Sequence, residues 1–407
     1  MTHPNHDPPP SLSVCLDLSP SHGGLYRAVV DLAQAAGSPI LSFRDGTGRL
    51  PTGDAGVPVR TVDLANASAW RRVVRLSAAD ARAAERAAGA PRVVVCHSIF
   101  RSHDDWVRRF CRSRATPYIA VPHGSLDPWV FRHGLAGKAA WMAAFGRPYF
   151  RAAAMVMFST RAERTKAEKT LGFAPRSCVV PWPVEARPAS PSASERQAAR
   201  RRLGLPVARR ILIYFGRYHS MKRPVETAQA FLRASLPDAT LVMAGFDGDV
   251  AAEQLRRLSP PESDRLRIFG PLLGPQRDDL FLAADAFVSW SHRENFGYAA
   301  AEALGSAVAV ILSPGNDLRG ELESTACGWF PEDDSPETLA RVLREFGSLP
   351  SDRLVAMGDS GRQYVQALCS RHKFAAAIRE MLSALASGGE ADPVPVSSHR
   401  KEGTIHP

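Results

Sequence analysis

Two segments of this chain carry residue types whose spacing could do chemistry. In IYFGRYHSMKRP (213–224) a β-rich run ends at Gly216, Arg217 follows at its carboxyl end, and Lys222 comes five residues later, before a helix opening at Pro224. Arg offers a planar fork of donors and Lys a point charge, and together they can clamp a diphosphate without a metal. In SWSHRENFGYAAAEALGSAVAV (289–310) a strand ends at Trp290, a loop carries Glu294, Asn295, Phe296 and Gly297, and a helix starts near Tyr298. Glu302 lies one turn into that helix, which gives Glu294 and Glu302 E-x7-E spacing. The free N–H groups of a helix start favour anions, and two carboxylates suit sugar hydroxyls. Acids at this spacing are commonly surface charges. Glu302, however, sits among Ala and Leu, where an unpaired carboxylate is costly to bury, so it should have a defined polar partner.

Other chemistries find less support. DGD (247–249) and EDD (332–334) resemble the DxD of metal-dependent enzymes, but both follow strands as ordinary loop segments. The histidines match no zinc-helix spacing, and none of the six cysteines is paired as CxxC. Reduced, structural thiols in a reducing compartment are expected, with no metal and no cofactor.

The elements that must position these residues alternate. Continuous apolar runs occur at 11–18, 39–43, 92–96, 117–121, 154–158 and 177–180, and again at 210–216, 239–245, 266–270, 286–290, 307–313 and 327–330. Helical segments such as Arg223–Ser235, Asp278–Ala283 and Tyr298–Leu304 lie between them. This is the βαβ signature of parallel sheets buried on both faces. The Pro/Ser/Ala-rich stretch at 181–194 reads as a linker. The pattern therefore predicts an α/β protein of two Rossmann-like doubly wound domains, which would hold a nucleotide-type ligand in an inter-domain cleft at the strands' carboxyl ends.

The 407 residues carry a net charge of +10 with 45% hydrophobic residues, which excludes wholesale disorder. No apolar run is long enough to span a membrane, and the N-terminus lacks the basic start of a secretory signal. A cytoplasmic protein is expected. Between Asn66 and Pro117 eleven Arg face four acids, with Trp70, Trp106 and Phe110 interleaved. Such a segment suits a solvated helical face, an anionic membrane surface or an anionic acceptor. Nucleic acid is disfavoured, because no nucleic-acid-binding motif accompanies it.

The ordered series ERQAARRRLGLP (195–206), FGRYHSMK (215–222), ATLVMAGFDGD (239–249), LRIFGPL (266–272), ENFGYAAAEALGSAVAVILS (294–313) and ACGWFPEDDSPETLARVL (326–343) resembles the GT4 family of retaining glycosyltransferases, of GT-B fold. In the first half, LSPSHGGLYRAVVDLA (18–33) looks like that family's Gly-rich loop, and VPHGSLDPWV (121–130) like its PHG segment. His123 is then the counterpart of the family's active-site histidine, and His97, also just after a strand, is a second candidate.

The resemblance implies a hexosyltransferase of polysaccharide or glycolipid biosynthesis, in which His123, Arg217, Lys222 and Glu294 are catalytic. Gly23, Gly24, Arg217, Lys222, Phe269, Glu294, Asn295, Phe296, Gly297 and Glu302 would hold a nucleotide-diphosphate sugar, with Glu302 on the ribose. The acceptor would be a saccharide or lipid-linked saccharide, and residues 66–117 would make a peripheral contact with the anionic inner membrane. The expected divisions are a disordered 1–10, an N-terminal acceptor-side domain 11–185, a linker 186–205, a donor-binding domain 206–361, a helical segment 362–386 packing back on the N-terminal domain, and a disordered tail 387–407.

Two departures stand out. Pro181-Trp182-Pro183-Val184-Glu185 replaces the family's Pro-Asn-Gly-Val-Asp, and PGNDLRG (314–320) replaces its Gly-Gly loop. The alternatives are a nucleotide-sugar 2-epimerase-like isomerase and a catalytically inactive binding protein of the same fold. The E-x7-E register and the PHG segment favour transfer over the isomerase. The simultaneous presence of all five charged or imidazole candidates disfavours the inactive form.

Overall fold

A computed structural model describes residues 10–19, 23–44, 55–64, 75–132, 135–259 and 263–389. The chain divides into two units, Met1–Trp182 with His372–Pro407, and Pro183–Arg371.

In the first unit, β1 (Ser11–Leu16), β2 (Ile40–Arg44), β3 (Val59–Asp63), β4 (Val93–His97), β5 (Tyr118–Val121), β6 (Met155–Phe158) and β7 (Ser177–Val179) form a parallel sheet in the order 3-2-1-4-5-6-7. Its longer helices are α1 (Gly24–Ala36), α2 (Ala78–Ala88), α3 (Ser102–Ser113) and α4 (Arg161–Leu171). In the second unit, β8 (Arg210–Phe215), β9 (Ala239–Ala244), β10 (Leu266–Phe269), β11 (Ala286–Ser289), β12 (Ala309–Leu312) and β13 (Gly328–Trp329) run in the order 10-9-8-11-12-13. There α5 (Ala193–Arg202), α6 (Pro224–Ala234), α7 (Pro275–Ala283), α8 (Tyr298–Gly305), α9 (Pro336–Ser348) and α10 (Ser351–Leu368) cover the sheet, and α11 (Arg371–Ala386) returns to the first unit.

The central strands are buried throughout, as their unbroken apolar runs require: VVVCH, YIAV, MVMF, ATLVMA and AVIL. Each such aliphatic or aromatic side chain contributes about 1.5–3 kcal/mol on leaving water. Both sheets reverse their winding beside the first strand, at β1–β4 and at β8–β11. In doubly wound sheets the loops at such a reversal part from one another, which leaves room for a ligand at the strands' carboxyl ends.

Several sequence expectations need correction. The strand β3 went unread because it is an edge strand with one buried residue, Val62, among exposed neighbours. The expected linker 186–205 contains α5, which is capped by Ser192 and Glu195 in a reciprocal box. This helix packs in the second unit through two nearly buried arginines. Arg196 donates to the Ala284 carbonyl, and Arg200 donates to the Ala283 carbonyl at 3.0 Å and to Asp285 at 2.7 Å. The expected 362–386 segment is two helices. Its first part ends α10, where Gly361 lies against Leu304 of the second unit. Only α11 packs on the first unit, with Phe374 against Trp182 and Arg379 donating to the Ala35 carbonyl.

The expected disordered N-terminus up to residue 9, the tail beyond 389, and residues 66–74 of the basic segment lie outside the described residues. Within that segment, Trp106 and Phe110 are core residues of α3, stacked on each other and 2% exposed, so they are not surface aromatics. All six cysteines are free and buried. Among the described residues no helix is long and apolar enough to cross a membrane.

Candidate functional site

The second unit gathers most of the expected residues at its β8–β11 reversal. Arg217 follows β8 and is exposed, while its carbonyl accepts from the Tyr214 hydroxyl at 3.0 Å. Lys222 ends a single 3-10 turn, and its side chain folds back over Gly216, where a Cβ would lie 3.6 Å from Nζ. Its ammonium lies 2.6 Å from the Glu294 carboxylate. The loop after β11 is tied to this turn by His292, whose N–H donates to the Met221 carbonyl at 2.9 Å.

Glu294 is itself held by the 314–320 loop that departs from the family pattern. Its N–H donates to the Gly315 carbonyl at 2.9 Å, and its carbonyl accepts from the Asp317 N–H at 2.8 Å. Gly315 has to be glycine, because a Cβ there would come within 2.3 Å of the His292 carbonyl. Asn316 is buried, with its carbonyl oxygen accepting from the Leu318 N–H at 3.1 Å. Gly297 then takes the left-handed conformation (φ 69°) that starts α8. No side-chain hydrogen bond caps that helix, and its first turn holds no acid, an electrostatic setting that favours an anion. Phe296 is 3% exposed with its ring against Tyr298, which leaves its backbone as the part that can meet a ligand. Asn295 and Phe269 are half-buried, and the Phe269 carbonyl accepts from the Tyr218 hydroxyl at 2.8 Å.

Glu302, 9% exposed, has the polar partner its surroundings demand: Arg277 of α7, in a close ion pair. The Arg277 guanidinium also lies over the rings of Phe281 and Phe215, at 5.6 and 5.9 Å. Sequence reasoning missed Arg277. In an Arg-rich chain its residue type carries no signal, and its distance from Glu302 along the chain hides the pairing.

The acidic loops are committed to the protein's own framework. Asp249 accepts from the Ser220 N–H and hydroxyl at 2.7 and 2.5 Å, and Asp247 accepts from the Ala252 N–H at 2.9 Å. Asp333 accepts from Ser335 and Thr338 at the start of α9, while Asp334 pairs with Arg223 at 2.7 Å.

The first unit carries the remaining expected residues. Gly23 (φ 57°) and Gly24 open α1 after β1, both exposed, and a Cβ at Gly23 would meet open space. His123 and Gly124 follow β5, both with positive φ. Their turn hangs on Glu163, a buried carboxylate in the first turn of α4. Glu163 accepts from the Gly124 N–H at 2.6 Å and from the Ser159 N–H and hydroxyl, both at 2.8 Å. Lys166, one turn further, meets Asp127 at 2.9 Å. Trp182, the residue of the first departure, stacks on His123 with ring centroids 5.4 Å apart. Sequence reasoning missed Glu163, although its place three residues after the capping Thr160 marks a helix start. Burial holds the His123 imidazole down to about 3, so it is neutral at ordinary pH.

One buried group in the first unit has the chemistry of a metal site. Cys96, His103 and Asp104 place their ligand atoms within 4.8 Å of one another. The donor set does not fit an ion well, because His103 Nε2 already bonds the His97 carbonyl at 3.1 Å. Its Nδ1 is buried without a partner among the described residues, whereas a ligating imidazole ordinarily donates that second N–H to an acceptor. Asp104 instead accepts from the Arg101 N–H at 3.0 Å, which ties down the start of α3.

Residues 195–364 match the family model of glycosyl transferases group 1. Over 179 residues the chain is 31% identical to a D-inositol 3-phosphate glycosyltransferase of Thermobispora bispora, covering 40% of each protein. The chain thus spans less than half the length of that curated relative. Among solved structures, that of Anabaena HepE in complex with UDP and glucose superposes with a TM-score of 0.74 at 16% identity, covering 92% of this chain and all of that one. Sucrose-phosphate synthase from Thermosynechococcus elongatus gives 0.74 at 18% identity, covering 94% and all of that chain. These likenesses establish the fold: two Rossmann-like units of the GT-B type.

Proposed function

We propose, from the match of residues 195–364 to the glycosyl transferases group 1 model, that this protein transfers a sugar from a nucleoside-diphosphate donor to a saccharide or lipid-linked saccharide acceptor. The observation that carries this reading is the convergence of Arg217, the Lys222–Glu294 pair and the uncapped start of α8 at one sheet reversal. Cations and helix N–H groups there suit a diphosphate, and carboxylates beside them suit hydroxyls.

In this reading the donor diphosphate lies against Arg217, Lys222 and the α8 N-terminus. As the glycosidic bond breaks, negative charge grows on the leaving diphosphate. Cations fixed in advance stabilise that charge more than they stabilise the ground state. Glu294 and the backbone at Phe296–Gly297 bind sugar hydroxyls, and Glu302, held by Arg277, binds the ribose. The family likeness gives His123 of the first unit a part in the reaction, and burial keeps its imidazole neutral. The Lys222–Glu294 pair couples the two tasks, since the ammonium that meets the phosphate also orients the carboxylate that meets the sugar.

Retention of configuration and independence from metal are parts of the same proposal. Retention rests on the family likeness. Metal independence is supported by the commitment of both acidic loops to the protein's own hydrogen bonds. UDP is the first nucleotide to try, because the HepE neighbour binds it. The peripheral contact with an anionic membrane, if made by residues 75–117, would be purely electrostatic, because Trp106 and Phe110 are in the core.

The test is a thermal-shift screen against UDP, GDP, ADP, CMP and dTDP, with and without EDTA. A ligand that binds only the native state raises the melting temperature. Stabilisation by one nucleoside diphosphate, unchanged by EDTA, is the expected result. No response to any of them would remove the support for the donor site.

A further inference from the structure

His97 ends β4 and lies opposite Val121 of β5, two residues before His123. The register brings the two imidazoles together, with His97 Nδ1 2.9 Å from His123 Nε2. The rings are within 17° of coplanar and their centroids are 5.2 Å apart. With the nitrogens at 2.9 Å, that centroid separation sets the rings end to end. The contact is therefore an in-plane N–H···N bond, along the direction in which ring protons and lone pairs point.

One proton lies between the two nitrogens, and the surroundings decide its owner. His97 is fully buried, and its Nε2 has no partner among the described residues. If His123 donated, a neutral His97 would have to carry its own proton on Nε2, as a buried N–H with nothing to bond. Orphaned buried N–H groups are rarer and costlier than unpaired lone pairs. If His97 Nδ1 donates, only a lone pair is left unpartnered, and His123 Nε2 becomes the acceptor. A neutral His123 must then carry its proton on Nδ1. Neutrality is favoured for both rings, because burial holds each imidazole well below its ordinary range.

We propose that His97 is a positioning residue that fixes His123 as the Nδ1–H tautomer, so that His123 presents a hydrogen-bond donor rather than an acceptor. Two further contacts hold this arrangement. His103 Nε2 donates to the His97 carbonyl at 3.1 Å, and Trp182 stacks on the His123 face with its plane 13° away. The consequence for chemistry rests on the sugar-transfer reading above: what His123 would offer a substrate oxygen is an N–H rather than a lone pair. The tautomer itself is a property of the protein alone.

The experiment follows the ring nitrogens of full-length protein labelled with ¹⁵N-histidine, by two- and three-bond N–H correlations at pH 7. The His123 signals are assigned by their loss in His123→Asn. A protonated Nδ1 and a bare Nε2 on His123 are expected. His97→Asn places an amide N–H about where Nδ1 stood, so it should keep that pattern. His97→Leu should give a reversed or averaged one. It should also slow donor turnover about a hundredfold with little change in KM, the low end of what a proton-handling group contributes, and His97→Asn should recover most of that loss.

A protonated Nε2 on His123 in the unmodified protein would overturn the proposal. So would an unchanged His123 pattern in His97→Leu. If His97→Leu does not fold, the unmodified and His97→Asn spectra still decide. Loss of the nucleotide response in the thermal screen would sink the sugar-transfer reading and leave these spectra unaffected.

Discussion

The Lys222 ammonium and the Glu294 carboxylate lie 2.6 Å apart although 72 positions separate them in the chain. The cation expected on the diphosphate and the acid expected on the sugar are therefore one unit. Neither side chain is fully buried, at 27% and 21% exposure, so solvent screening leaves the pair little weight in stability. Its weight should fall on turnover.

Lys222→Ala should accordingly lower kcat about 10²–10³-fold, the range for removing one charge-stabilising donor from a reaction centre. The melting temperature should shift by only a few degrees. Steady-state kinetics with the donor found by the thermal screen, alongside a melting curve, checks both halves. Unchanged turnover would remove Lys222 from the phosphate clamp.

Arg277 and Glu302 should behave differently, because Glu302 is nearly buried. Arg277→Ala leaves a buried carboxylate without its cation and should cost roughly 1–3 kcal/mol of stability. On the proposed ribose role of Glu302 it should also raise the donor KM with kcat little altered, since such a contact would be made alike in ground and transition states. Arg277→Ala and Glu302→Ala should be strongly non-additive in a double-mutant cycle. Additive effects on donor affinity would show that Arg277 does not act through Glu302.

How much of this was legible in the sequence divides along physical lines. Strands buried on both faces announce themselves as unbroken apolar runs, so β5, β8 and β11 were readable, and with them the loops bearing His123, Arg217, Lys222 and Glu294. The half-exposed β3 has one buried residue and gives no such run. Partners were the least legible. Glu302 demanded one, but only the fold shows that it is Arg277, and Glu163 reads as an ordinary helix-start acid until Gly124 is seen to donate to it. The Trp182 and 314–320 departures were visible as anomalies. Their roles, stacking on His123 and pairing with Glu294, needed the coordinates.

Glu163→Ala should loosen the His123 turn, since three donors lose their common acceptor. A loss of roughly 2–4 kcal/mol is expected from orphaning buried N–H and hydroxyl groups. Glu163→Gln keeps one carbonyl oxygen and should recover part of it. Hydrogen exchange at Gly124 and Ser159 reads the effect directly, and protection unchanged in Glu163→Ala would show that the turn does not depend on this carboxylate.

Stability should fall as the solution is acidified, for a reason built into the first unit. Burial holds His123 down to about 3 and His103 down to about 4, and holds His97 well below its ordinary range. Their unfolded counterparts titrate near 6.5. Between that value and the folded ones, the unfolded chain binds protons that the folded chain does not, so stability is present above about pH 6.5 and lost as pH falls below it. Each histidine contributes a slope of at most about 1.4 kcal/mol per pH unit. Asp104 works in the opposite sense: burial raises its carboxyl, so the folded state holds a proton there that the unfolded state releases above about 4. Three histidines against one aspartate leave a net loss on acidification. Denaturant titrations between pH 4.5 and 7.5 should show it, and His103→Phe should flatten the slope by removing one titrating ring. A stability that held level across that range would mean the imidazoles take up their protons without unfolding, and would contradict their assignment as buried neutral groups.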